Sequence, residues 1–311
     1  MLAIFLETLP FFALIFCGWA ASARGVFGPE AAALLTRFVF YFALSAMLFR
    51  LGATLPVAEV WNPDFLLAYL VATGVLYLGV LAVSRLRGEA LAPAAFEAQV
   101  AVIGNVGFLG LPMLVALYGP AAALPVLIGL VVDLVIFGTL VVILVEAAGG
   151  GGGLAAVRKS LGGVARNPMI LSIVCGLLWS AGGIALPGPV DRFLAILGAA
   201  ATPCALFAIG CSLAQQSADQ RRSVAAGLSA VKLVAHPAAV AVAMFWVFDV
   251  DPFLGAIAVA AAAMPVAGNV FILAQHYGVA AQRVSAAILV STAVSVVTVS
   301  AVLALVAPGA G

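Results

Sequence analysis

Charge is what this sequence has least of. Only 8% of its 311 residues are Asp, Glu, Lys or Arg, against roughly a quarter in ordinary soluble domains. Thirteen basic and twelve acidic side chains cannot cover the surface of a water-soluble fold of this length. The same shortage excludes a disordered chain, which needs high charge and low hydrophobicity. The net charge is +1, so there is no basic excess to displace counterions from a phosphate backbone, and nucleic acid is not a partner. Histidine is limited to two residues. There is no HExxH and no clustered carboxylate pair, so neither a metal site nor a cofactor is expected. A serine hydrolase built on His236 is the one enzyme reading left, and no spacing supports it. The four cysteines (Cys17, Cys175, Cys204, Cys211) form no CxxC or other metal-ligand spacing. They read as small buried hydrophobes. No Lys or Arg precedes Arg24, so the first apolar run reads as a spanning helix rather than a signal peptide.

What is present is apolar sequence. Hydrophobic residues make up 66% of the chain, and the mean hydropathy is +1.27. A spanning helix needs about 20 mostly apolar residues. Ten such stretches can be read, at about 2–23, 31–51, 64–84, 95–118, 121–146, 168–185, 190–214, 223–248, 253–277 and 282–307. They are too long and too continuous for the alternating strands of an outer-membrane barrel. The fold class expected is an all-α polytopic membrane protein embedded in a lipid bilayer.

The basic residues orient it. Loops after the odd-numbered spans hold Arg24, Arg85, Arg87, Arg158, Lys159, Arg166, Arg221, Arg222 and Arg283, whereas the opposite loops hold only Arg50 and Arg192. Positive charge marks the cytoplasmic side, so both termini are expected outside, in the periplasm of a cell with an inner membrane. Residues 149–167 form a Gly-rich cytoplasmic linker that opens on Gly149–Gly153. It separates residues 1–148 from 168–311, with five spans each. An odd number of spans per half forces opposite topologies, the inverted-repeat plan of many secondary transporters. An offset of 159 sets Leu114, Tyr118 and Gly119 on Leu273, Tyr277 and Gly278, and so superimposes span 4 on span 9. A similar offset sets Tyr41–Leu44 of span 2 against Thr202–Ala205 of span 7.

Spans 4 and 9 carry the densest signal. One reads Gly104-Asn105-Val106-Gly107-Phe108-Leu109-Gly110-Leu111-Pro112 and the other Met264-Pro265-Val266-Ala267-Gly268-Asn269. Proline removes an intrahelical hydrogen bond, glycine loosens the backbone, and a midplane Asn needs partners. Both spans are therefore expected to be broken helices, with free backbone groups facing protein or a watery cavity.

These segments resemble the fourth and ninth helices of the auxin efflux carrier family of transporters. The stretch from Thr202-Pro203 to Gly210-Cys211-Ser212-Leu213 is similar to that family's seventh helix, and Ser291-Thr292-Ala293-Val294-Ser295 to its tenth. The resemblance covers nearly the whole chain. It implies the fold shared with bile-acid sodium symporters, in which discontinuous helices 4 and 9 cross inside a moving core (here 63–147 and 222–307) beside a panel (1–62 and 168–217). The chain departs from the pattern at Phe42, where the family carries proline, and it lacks the long cytoplasmic loop of plant members. The family further implies small organic anions, malonate or malate among them, as substrates of microbial members, carried by alternating access.

Within that frame the candidate substrate-binding residues are Gly104, Asn105, Gly107, Gly110, Pro112, Pro265, Gly268 and Asn269. Tyr41 and Ser45 of the facing panel helix would close the pocket. Half-helix N-termini suit a carboxylate. Asp133 and Lys232 sit at similar depth in two core spans, where an isolated charge is expensive, and are expected to approach each other. His236 lies one turn beyond Lys232 on the same face. Ser291, Thr292 and Ser295 complete the set expected to support coupling. An ammonium at this depth would repel a bound Na⁺, so Na⁺-independent transport is expected, either proton-linked or as a uniport. Alternatively Lys232 reaches the cytoplasmic interface and leaves a sodium site intact. Glu97 and Gln99 are expected to reach water at the start of span 4, Glu7 to reach the outer surface, Arg37 to snorkel, and His276 to sit at the interface. A passive channel would carry charge rings or a filter sequence, and neither is visible. The sequence is compatible with a homodimer.

Overall fold

The computed structural model describes residues 2–55, 62–150, 158, 162–214 and 222–306. Among them the secondary structure is helical, and the single β-bridge joins Gly104 to Val266. The helices are α1 (Leu2–Ala23), α2 (Pro29–Thr54), α3 (Pro63–Leu86), α4 (Leu91–Val102), α5 (Val106–Tyr118), α6 (Pro120–Ala148), α7 (Pro168–Ala181), α8 (Gly188–Ala214), α9 (Ser223–Val247), α10 (Pro252–Ala262), α11 (Gly268–Tyr277) and α12 (Ala281–Val306). Seven of these (α1, α2, α3, α6, α8, α9 and α12) are long and apolar enough to cross a membrane. Part of the Gly-rich linker, including Gly151–Gly153 and Lys159, lies outside the described residues.

The helix starts follow the local chemistry. Proline opens α2, α3, α7 and α10, where its missing N–H costs nothing. Asn62, Asn167 and Asp251 cap α3, α7 and α10 by accepting from first-turn amides. Tyr118 and Tyr277 are each followed by a glycine with positive φ, Gly119 at 83° and Gly278 at 64°. Both glycines end their helices in a conformation side chains resist.

Two pairs of helices pack backbone to backbone. A methyl group built on Gly210 of α8 would overlap the Ile15 carbonyl of α1, and one on Gly18 would overlap the Phe207 carbonyl of α8. Gly176 of α7 meets the Phe49 carbonyl of α2 in the same way. Small residues permit this approach where no hydrophobic effect drives apolar helices together. The Cys211 thiol adds a 3.2 Å hydrogen bond to the Gly18 carbonyl. Cys17 and Cys175, expected to be buried, are exposed. In a bilayer a helix face that meets lipid is as apolar as one that meets protein, so composition cannot separate the two.

Several long helices contain a π-turn, at Val39–Ala43 in α2, Asp133–Phe137 in α6, and Val231–Ala235 and Ala243–Val247 in α9. The first falls on Phe42, the position where the sequence lacks the family proline. Wider turns of this type cluster at functional sites.

Candidate functional site

The two interrupted stretches meet at their breaks. α4 ends at Val102 and α10 at Ala262, and short extended segments follow each. Asn105 N–H donates to the Pro265 carbonyl at 2.7 Å, and Ala267 N–H donates to the Ile103 carbonyl at 3.1 Å. Each segment thus supplies the partner that the other's broken helix has lost, which is the requirement on irregular backbone at membrane depth. The Ser291 hydroxyl accepts from Val266 N–H at 3.1 Å and donates to the Ile288 carbonyl, so α12 braces the second break. Ser295 donates to the Thr292 carbonyl, and both are buried.

Beyond the breaks, α5 and α11 begin with amides that have no carbonyl one turn earlier to bond. The Asn105 carbonyl accepts from both Leu109 and Gly110. Asn105 is buried, whereas Gly268 and Asn269 are exposed in the first turn of α11. The glycines are closely fitted on the first side only. A methyl on Gly104 would sit 3.1 Å from the Lys232 Nζ, one on Gly107 2.8 Å from Met169 Cε of α7, and one on Gly110 3.1 Å from Met264 Cγ. Around Gly268 the space is open. Pro112 lies in the first turn of the α-helical part of α5. Tyr41 is exposed with its ring edge-on to Phe40, and Ser45 donates to the Phe40 carbonyl in the π-turn.

Behind the crossover runs a buried polar chain. The Lys232 ammonium has no solvent exposure. It donates to the carbonyl of Ala262, the last residue of α10, and lies 3.2 Å from His236 Nδ1. A cation at that helix end meets the negative pole of the dipole. His236 Nε2 is 3.2 Å from the Thr73 hydroxyl of α3. Asp133 is near enough to Lys232 for their charges to interact, but its direct partner is Tyr69, whose hydroxyl donates to Oδ1 at 3.0 Å. Asp133 Oδ2 has no hydrogen-bond partner among the described residues. Tyr69 and Thr73 were not singled out in the sequence. Their spacing of four on α3, one helical turn, is the only available hint.

Glu97 does not reach water. It is 1% exposed and paired with both Arg87 and Arg283, while Arg283 also reaches Glu89 at 3.1 Å. Gln99 is buried as well. These pairs join α4 and α12 to the residues just after α3. Glu7, Arg37 and His276 are exposed, Arg37 among the exposed apolar residues Leu34, Phe38 and Tyr41.

A polytopic apolar bundle, two helix breaks bonded to each other, and a buried polar chain beside them are the features of a membrane transport protein. The family model described as "Membrane transport protein" matches residues 3–303, and the chain belongs to that family, the auxin efflux carrier type. It is also similar, at 35% identity over 308 residues, to a protein of Rhizobium meliloti (strain 1021) named "Putative malonate transporter". The alignment covers 97% of this chain and 95% of that relative.

Proposed function

We propose that this protein is a secondary carrier of a small organic anion, a malonate- or malate-like carboxylate, working by alternating access across the inner membrane. The observation that carries the reading is the reciprocal bonding of the two helix breaks through Asn105 with Pro265 and Ala267 with Ile103. It leaves two half-helix N-termini, those of α5 and α11, as donors for a carboxylate. The relative's printed name supports malonate as the first substrate to try.

The architecture proposed is ten spans in two inverted five-helix repeats, with α4–α5 and α10–α11 each counted as one broken span. Its packing supports this. The first span packs on the seventh and the second on the sixth, and an inverted repeat maps one of these pairs onto the other. These four would form the panel, and α3–α6 with α9–α12 the core. Both termini would be periplasmic. Lys232 would act as a fixed cation beside the crossover, so that no Na⁺ is needed, with Asp133 and His236 as the groups through which a proton would be linked.

Proteoliposomes test the reading. Saturable uptake of labelled malonate, accelerated by unlabelled malonate trapped inside, is the expected result. Flux linear in concentration with no counterflow would indicate a channel, and the absence of any carboxylate flux would overturn the substrate class.

A further inference from the structure

A cavity of about 300 Å³ opens between α5 on one side and α2 and α8 on the other. Its walls are almost wholly apolar, with Met47, Pro112, Val115 and Leu194 among them, and its one charged lining residue is Arg50. That volume is at the small end for ligand pockets, the scale of a short-chain acid.

The Arg50 guanidinium is already engaged by a carboxylate. Nε donates to Asp191 Oδ1 at 2.6 Å and Nη2 to Oδ2 at 3.2 Å, the two-pronged fork that arginine offers to planar anions. Both side chains remain open to solvent, at 40% and 37% exposure. A pair this exposed gains little from its own attraction, so a carboxylate from solution can compete for the fork. Pro112 places the cavity wall on the same helix that starts at the Asn105 break.

We propose that Arg50 is a carboxylate-binding residue for the transported anion, and that Asp191 is an internal carboxylate occupying its fork when no substrate is there. The anion's identity rests on the carrier reading above. The fork would hold one carboxylate and the apolar walls would take the methylene, while the second carboxylate stays toward solvent, because Arg50 is the one charged residue of the lining.

Malonate binding to the purified protein by calorimetry, beside malonate uptake in proteoliposomes, tests the site. Asp191→Asn should tighten binding several-fold, because the internal competitor loses its charge. Arg50→Gln should weaken it at least tenfold, and Arg50→Lys should fall between, retaining charge without the fork. Opposite signs for the two partners are what a mere brace between α2 and α8 would not give. Equal weakening by Asp191→Asn and Arg50→Gln, or unchanged binding in Arg50→Gln, overturns the proposal. So does absence of malonate binding by the parent protein. Binding without uptake would overturn the carrier reading and leave the site standing.

Discussion

The Asn105 N–H reaches the Pro265 carbonyl across 2.7 Å, so a residue in the first half of the chain completes a proline-broken turn 160 positions later. The return bond, from Ala267 to Ile103, makes the join mutual. Being made of backbone atoms, it leaves the Asn105 side chain available for other work.

Asn105→Ala and Asn269→Ala should each lower malonate uptake about tenfold or more, which is about 1.4 kcal/mol of lost interaction. Asn269 is exposed and Asn105 buried. The Asn269 change should therefore act mainly on apparent KM, and the Asn105 change should also lower thermal stability. Normal uptake in both variants at unchanged expression would remove the breaks from the binding site.

Replacing Na⁺ by choline at fixed pH and potential should leave uptake unchanged, because the Lys232 ammonium already holds the C-terminal carbonyl of α10. Lys232→Ala and Asp133→Asn should each be more damaging than the double variant, since each single change leaves one buried charge without the opposite charge near it. Tyr69→Phe, which removes the donor to Asp133, should resemble Asp133→Asn in sign and be milder. A large loss of uptake without Na⁺ would reject the fixed-cation role.

Gly104→Ala should destabilise the protein by about 1–3 kcal/mol through overpacking, because the new methyl would press on Lys232 and on the Met264 carbonyl. Gly268→Ala should be tolerated in folding, since nothing lies within 4 Å of its methyl position. Thermal unfolding in detergent separates the two, and equal stability would show that the crossover yields more readily than its spacing indicates.

Reporter tags at Met1 and Gly311 should be accessible from outside the cell, and a tag at Gly151 only from the cytoplasm. A cytoplasmic C-terminus would overturn both the span count and the inverted repeat.

The helices were legible because apolar runs and their Pro, Gly and Asn interruptions are local signals. The breaks at 103–105 and 263–267 fall on the residues that predicted them. The partners were far less legible. Glu97 looked like a water-facing carboxylate at a helix start, and only the fold brings Arg283 to it from 186 positions away. Arg50 and Asp191 are 141 apart, and each alone reads as a loop-side charge. Tyr69 and Thr73 were hidden in an apolar helix where hydroxyls pass as ordinary core residues. Asp133 and Lys232 each read as a charge that needs a partner at that depth, and both are buried, but the contacts they make, with Tyr69 and with the α10 terminus, depend on helix packing that no local pattern encodes.

On the carrier reading, the burial of Lys232 and Asp133 bears on the electrical character of transport. With both ionised, or both neutral, the two sum to zero, and the charge crossing the membrane is that of the substrate; a proton taken up by Asp133 alone leaves the ammonium uncompensated and adds one positive charge. A doubly charged anion entering a cell with a negative interior works against about 2.3 kcal/mol per charge for each 100 mV. Taken alone it would run outward, and inward accumulation needs compensating positive charge, which on the carrier reading a proton held at Asp133 would supply.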